Sequence, residues 1–144
     1  MQDLKKKRIL ALDYGNKRIG VAYSDPSGIS ITPIETLKND ENVFENIKKL
    51  VKELDIGEIV IGLPLTLRGE EGEQAKTTRE FGEKLKEHLP DIKIEFIDER
   101  FTTSLAQKHL AETTKKTKRK KKLDSLSATY ILQTYLMQKQ FNNG

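Results

Sequence analysis

Apolar positions along this chain switch between a period of two and a period near 3.6, and each switch marks a predicted element. Residues 8–13 (Arg-Ile-Leu-Ala-Leu-Asp) read as a strand ending at Asp13. Gly15 and Asn16 follow, and both tolerate positive φ, so a tight reversal is expected and 18–24 reads as the returning strand. Asp25-Pro-Ser-Gly28 stops it. Residues 29–37, carrying Ile29, Ile31, Ile34 and Leu37, supply a third antiparallel strand, and Pro33 points to an edge position or an irregular start.

The period then becomes helical. Val43, Phe44, Ile47, Leu50, Val51 and Leu54 recur at three–four spacing, with Asn39 or Asp40 as the cap and Gly57 closing the helix. Residues 58–62 are a short buried strand, and 62–69 a loop bounded by Gly, with Pro64 near its start. A second helix over about 72–88 presents Ala75, Thr78, Phe81 and Leu85 on one face, and the alternation Ile92, Ile94, Phe96 marks a strand over 92–98. Thr102 or Thr103 caps a third helix through Leu110; the last starts near Asp124 and carries Leu126, Tyr130, Ile131, Tyr135 and Leu136. The tail 138–144 reads as frayed. Hairpin-linked strands followed by strand–helix alternation imply an α/β fold: a single domain over 1–144 with a mixed five-stranded sheet, its last two strands joined by right-handed crossovers.

Composition narrows the chemistry. The chain has 144 residues and no cysteine, which excludes disulfides, thiol nucleophiles and thiolate metal sites. The apolar stretch 9–12 behind a basic start is shorter than a signal-peptide core or a membrane span, so a cytoplasmic protein without membrane contact is expected. A net charge of +4 leans towards polyanionic partners. Residues 115–122 hold seven basic side chains in eight, among them Lys118, Arg119, Lys120 and Lys121. Such a block is flexible and solvated or binds nucleic acid, and its position next to Asp124 favours binding.

Acidic residues fall where this topology would gather them. Asp13 ends the first strand, Asp98 and Glu99 end the last, and Asp124 opens the final helix. Each has an ordinary reading: a turn residue, a surface ion pair with Arg100, an N-cap. Together at strand ends they suggest a metal site, because crowded carboxylates repel and persist mainly where a cation neutralises them. Mg²⁺ (or Mn²⁺), as one or two ions, takes hard oxygen ligands and could clamp a phosphodiester without any nucleophilic side chain. Asp13, Glu99 (or Asp98) and Asp124 are the candidate catalytic acids, with Asp13, Glu99 and Asp124 as metal ligands. Lys17 and Arg18 at the hairpin, and the rigid fork of Arg100, are candidates for holding the nucleic-acid backbone. His88 and His109 lack paired ligand spacing, and Tyr130 and Tyr135 read as core.

Four stretches also carry a family resemblance. Leu12-Asp-Tyr-Gly-Asn-Lys-Arg-Ile-Gly-Val-Ala-Tyr-Ser-Asp25, Gly62-Leu-Pro64, Asp98-Glu-Arg-Phe-Thr-Thr103, and Asp124 with Ile131-Leu-Gln-Thr-Tyr-Leu136 closely resemble the YqgF/RuvX family, of the RNase H-like nuclease superfamily. The resemblance covers nearly the whole chain. It implies an RNase H-like fold with strand order 3-2-1-4-5, strand 2 antiparallel, and helices flanking the sheet. It also implies maturation of the 5′ end of the 16S ribosomal RNA precursor, with ribosomal precursor particles as partners. Cleavage would leave a 5′-phosphate and a 3′-hydroxyl. The rivals are a Holliday junction resolvase acting on branched DNA and a non-catalytic RNA-binding module; a monomer or weak dimer is expected. Ser125 and Ser127 stand where the family more usually has small apolar residues, a departure expected to matter little for metal binding. Asp13-x-Gly15 with Gly20 is also similar to the first phosphate motif of sugar kinases, but those close two lobes around ATP and this chain has room for one.

Overall fold

The computed structural model describes residues 7–66, 68–99 and 125–143, with side chains up to residue 139. In chain order these form β1 (Arg8–Asp13), β2 (Arg18–Ser24), β3 (Ile31–Lys38), α1 (Val43–Glu53), β4 (Ile56–Leu63), α2 (Glu73–His88), β5 (Lys93–Asp98) and α3 (Leu126–Asn143). The sheet order is β3-β2-β1-β4-β5, with β2 antiparallel to both neighbours and β1, β4 and β5 parallel. The mixed sheet and its strand order follow the sequence expectation. Arg100, the helix predicted from Thr102 or Thr103, His109, the basic segment 115–122 with Lys118, Arg119, Lys120 and Lys121, and Asp124 lie outside the described residues.

Strand alternation divides the core in two. Leu10, Leu12, Ile19, Val21, Ile59, Ile61 and Ile94 face α1 and α2 and pack with Ile47, Phe81 and Leu85. Truncating the fully buried Ile47 to Ala should cost about 2–5 kcal/mol. Ala11, Ala22, Val60 and Ile97 face the other way, onto Ala128, Ile131, Leu132 and Tyr135 of α3. Small residues on this face of β1 and β2 let α3 lie close across the sheet.

The element ends depart from the sequence reading for local reasons. Gly57 does not close α1: Asp55 takes the left-handed turn at φ 55°, and Gly57 lies within β4, where a Cβ would stand 2.8 Å from Lys7 Cβ. Neither Asn39 nor Asp40 is the N-cap of α1, which is Asn42. Asn39 instead reaches back to the β1–β2 hairpin, donating from Nδ2 to the Gly15 carbonyl at 2.8 Å, and Asp40 Oδ1 accepts the Asn42 N–H at 2.9 Å. Ile29 belongs to no strand; Asp25 Oδ1 accepts the N–H of Ile29 and of Ser30, and Ile29 stands 84% exposed. The tail read as frayed from Gln138, whereas α3 continues to Asn143. Lys139 holds it there through a 2.9 Å bond to Glu58 Oε1.

One bulge matters for the site. Between the pairs Ile19↔Leu37 and Val21↔Ile34, β2 has one residue, Gly20, and β3 has two, Glu35 and Thr36. The surplus interrupts the ladder. Ser125 repairs it from α3's threshold: its hydroxyl accepts the Val21 N–H at 3.1 Å and donates to the Ile34 carbonyl at 2.6 Å. The start of α3 is thereby fixed against β2 and β3.

Candidate active site

Parallel pairing puts the C-terminal ends of β1, β4 and β5 at one edge, the edge where α/β sheets place their ligand sites. Asp13 is the last residue of β1 and shares the α3-facing parity of Ala11. Glu99 follows β5 by one residue and shares the parity of Ile97, which also faces α3. Its N–H donates to the Leu63 carbonyl at 3.0 Å, continuing the sheet pairing one step past the strand. Asp98 has the parity of Ile94 and Phe96, which pack on the α1–α2 side. The sequence left open which of the two acids meets Asp13; the alternation turns Glu99 to Asp13's face and Asp98 to the other.

The Glu99 and Asp13 carboxyls hydrogen-bond to each other, and Asp13 also accepts a hydrogen bond from the Ser127 hydroxyl. Two carboxyls can bond directly only if one keeps a proton. Burial pushes Glu99 up to about 8, helped by the negative charge of Asp13 and by the shared bond. Burial also raises Asp13, while the bonds from Glu99 and Ser127 pull it back down. The pair therefore holds a proton near neutral pH where isolated carboxyls would hold none.

α3 shapes this pocket by a stripe of residues four apart, which share one helix face. Ser127 meets Asp13, Ile131 lies over Gly62, and Tyr135 reaches Glu58. Gly62 is needed for the close approach, since a Cβ there would stand 2.5 Å from Ile131 Cδ1 and 3.3 Å from Glu99 Cδ. Sequence reasoning placed Gly62 at the junction of a short strand and a loop, within the Gly62-Leu-Pro64 stretch of the family resemblance, without this packing role. The two serines gained no role from the sequence either. A departure in residue type was visible, but nothing in the chain order says that position 125 meets a bulge or that position 127 meets Asp13.

The remaining predicted residues divide by place. Lys17 and Arg18 are exposed at the β1–β2 hairpin, on the same edge as Asp13. Arg100, Asp124, Lys118, Arg119, Lys120 and Lys121 are outside the described residues, as is the junction they would make with the pair. His88 stacks on Phe44 with ring centroids 4.5 Å apart, a packing role. Tyr130 and Tyr135 are buried, as their spacing predicted.

The pair fits a hard divalent cation. Its donors are all oxygen, and a cation would replace the proton that the two carboxyls share when none is bound. Glu99, Asp13 and Ser127 come from the residue after β5, from β1 and from α3, so the fold rather than local sequence sets their spacing.

A chain from Sulfurihydrogenibium sp. (strain YO3AOP1), named as a proposed pre-16S rRNA nuclease, is 63% identical over 137 residues, covering 94% of each chain. RuvC of T. thermophilus, solved in complex with a Holliday junction substrate, superposes with a TM-score of 0.61 at 8% identity, covering 93% of this chain and 96% of that one. The Fowlpox virus resolvase, solved with Holliday junction DNA, gives 0.59 at 12% identity over 92% and 98%. These two likenesses establish a shared RNase H-like fold. The model of the RuvX family, described as Holliday junction resolvase, matches residues 7–138, and this chain belongs to that family.

Proposed function

We propose that this protein is a metal-dependent nuclease that hydrolyses phosphodiesters of structured RNA in maturing the 5′ end of the 16S rRNA precursor, in the cytoplasm. The observation that carries the reading is the hydrogen-bonded carboxyl pair Asp13–Glu99, held by α3 at the ligand-binding edge of the sheet. Burying two acids against each other costs stability, and a non-catalytic RNA binder, which must attract phosphates, gains nothing from it. The relatives' names supply the substrate class.

Asp13, Glu99 and Asp124 would hold one or two Mg²⁺ ions, which when bound supply an activated water and neutralise charge on the phosphate under attack. The chain's own contribution is positional. The bond from Ser127 fixes the Asp13 carboxylate, and Gly62, by lacking a side chain, leaves room for both Ile131 and the Glu99 carboxyl. Lys17 and Arg18, with Arg100 and the basic segment, would grip the backbone by charge and leave the reacting atoms to the acids.

The family description favours a second reading, cleavage of DNA junctions, which would require a symmetric dimer to cut both strands. One experiment separates the two. Defined precursor RNA and four-way DNA junctions are incubated with wild type and Asp13→Asn, with and without Mg²⁺. Metal-dependent RNA cleavage lost in Asp13→Asn is expected. Junction cleavage alone would transfer the assignment to the resolvase reading, and unchanged RNA cleavage by Asp13→Asn would remove the pair from catalysis.

A further inference from the structure

The basic side of this edge is organised as closely as its acidic side. A cleft of about 690 Å³ lies between the β1–β2 hairpin and the turn from β3 into α1, within the ~300–1,000 Å³ range of pockets that take small ligands. Lys17, Arg18 and Lys38 line it, with Glu35 and Asp40 as its acids, so it carries three cations against two carboxylates. Asp40 spends one oxygen on the Asn42 N–H. Two bonds from Asn39 brace the walls: its N–H to the Lys17 carbonyl at 2.9 Å and its amide to the Gly15 carbonyl.

Arg18 and Lys38 are direct cross-strand partners. Directly opposite residues project to one face with Cβ atoms about 4.5–5.5 Å apart, close enough for one anion to meet both side chains. That face is the one bearing Asp13. Asp13 pairs with Gly20, and Arg18 lies two residues along β2, making it a diagonal neighbour at about 7–8 Å. Lys38 stands one strand further out, about 4.8 Å away across the sheet. The edge thus reads Glu99, Asp13, Arg18, Lys38 in spatial order, acids first and bases after.

We propose that Arg18 and Lys38 together bind one non-scissile phosphate of the substrate strand, a subsite that sets how far the strand runs past the cleavage point. An anion between them would meet both side chains and hold the strand in register while the acid pair acts on a neighbouring linkage. This subsite rests on the nuclease reading and deepens it.

The test measures binding of a fluorescein-labelled precursor RNA without divalent metal, across a salt series, for wild type, Lys38→Gln and Lys38→Arg. One lost single-strand phosphate contact should lower the slope of log affinity against log salt by about 0.7 in Lys38→Gln, with Lys38→Arg near wild type. A single neutral methylphosphonate linkage is then walked outward from the cleavage point. At one position it should weaken wild-type binding and leave Lys38→Gln no weaker than before. An unchanged slope, or a linkage penalty that persists undiminished in Lys38→Gln, overturns the subsite while Asp13-dependent cleavage stands. A wild type that binds neither RNA nor junction DNA at any salt would overturn the nuclease reading as well.

Discussion

Two glutamates on the same face of the sheet, both under α3, have opposite surroundings. Glu58, near the start of β4, accepts a hydrogen bond from the Tyr135 hydroxyl and lies 2.9 Å from Lys139 Nζ and 3.9 Å from Lys93 Nζ. Glu99, at the far end, faces the carboxyl of Asp13. The first is neutralised by the chain itself and fastens the C-terminal half of α3. The second presses one acid on another and is raised to about 8 by burial and by that neighbour. One helix therefore joins a carboxylate neutralised by nearby lysines to two carboxyls buried against each other. Tyr135 shows the same contrast from the other side: burial and the adjacent Glu58 charge push its hydroxyl above its ordinary range, so it stays a donor.

The contrast can be broken by substitution, beginning with the largest effect. Asp13→Asn should reduce RNA cleavage at saturating substrate by on the order of 10²–10³-fold, the cost of losing one preorganised electrostatic group. Its metal-free thermal midpoint should hold or rise, because a buried repulsion is relieved. Glu58→Ala should do the reverse. Losing a charged acceptor and leaving Tyr135 without its partner should destabilise the fold by about 1–3 kcal/mol in urea titration, with saturated cleavage kept. If Glu58→Ala silenced cleavage without unfolding the protein, the assignment of the two ends would be wrong. Ser127→Ala is the mildest. Removing a group that orients a ligand should raise the Mg²⁺ concentration needed for half-maximal cleavage by about 10-fold, with little change in rate at saturating Mg²⁺. An unaltered Mg²⁺ curve would make the Ser127 bond incidental.

How much of this was legible beforehand differs between the two ends. Strand periodicity gave β1, β2 and β5 with close boundaries, and the positions of Asp13 and Glu99 at strand ends followed from it. The Glu58 network was invisible, because Glu58, Lys93, Tyr135 and Lys139 come from three elements and each is unexceptional in its own stretch of sequence. The same holds for Ser125, whose role depends on a bulge that Glu35 and Thr36 do not announce. The choice between Asp98 and Glu99 needed the parity of β5 relative to α3, which requires knowing that Ile97 and not Phe96 faces that helix. Local pattern fixes elements and their ends; contacts between elements far apart in sequence decide which side chains meet.

The central claim, that Asp13 and Glu99 form a pair awaiting a cation, is tested most directly by thermal melts of wild type and Glu99→Gln from about pH 5 to about pH 9, with and without Mg²⁺. Glu99 has an ordinary value of 4.5 and a folded value of about 8. Below 4.5 both states are protonated and the pair costs nothing. Between the two values the unfolded chain ionises while the folded pair keeps its proton, so the folded state loses stability as pH rises, and the full cost is present above about 8. Wild type without metal should therefore fall relative to Glu99→Gln across this window. Mg²⁺ at pH 8 should raise the wild-type midpoint, since it binds the folded state, and leave Glu99→Gln nearly unmoved. Parallel pH curves for the two proteins, with equal responses to Mg²⁺, would contradict the account.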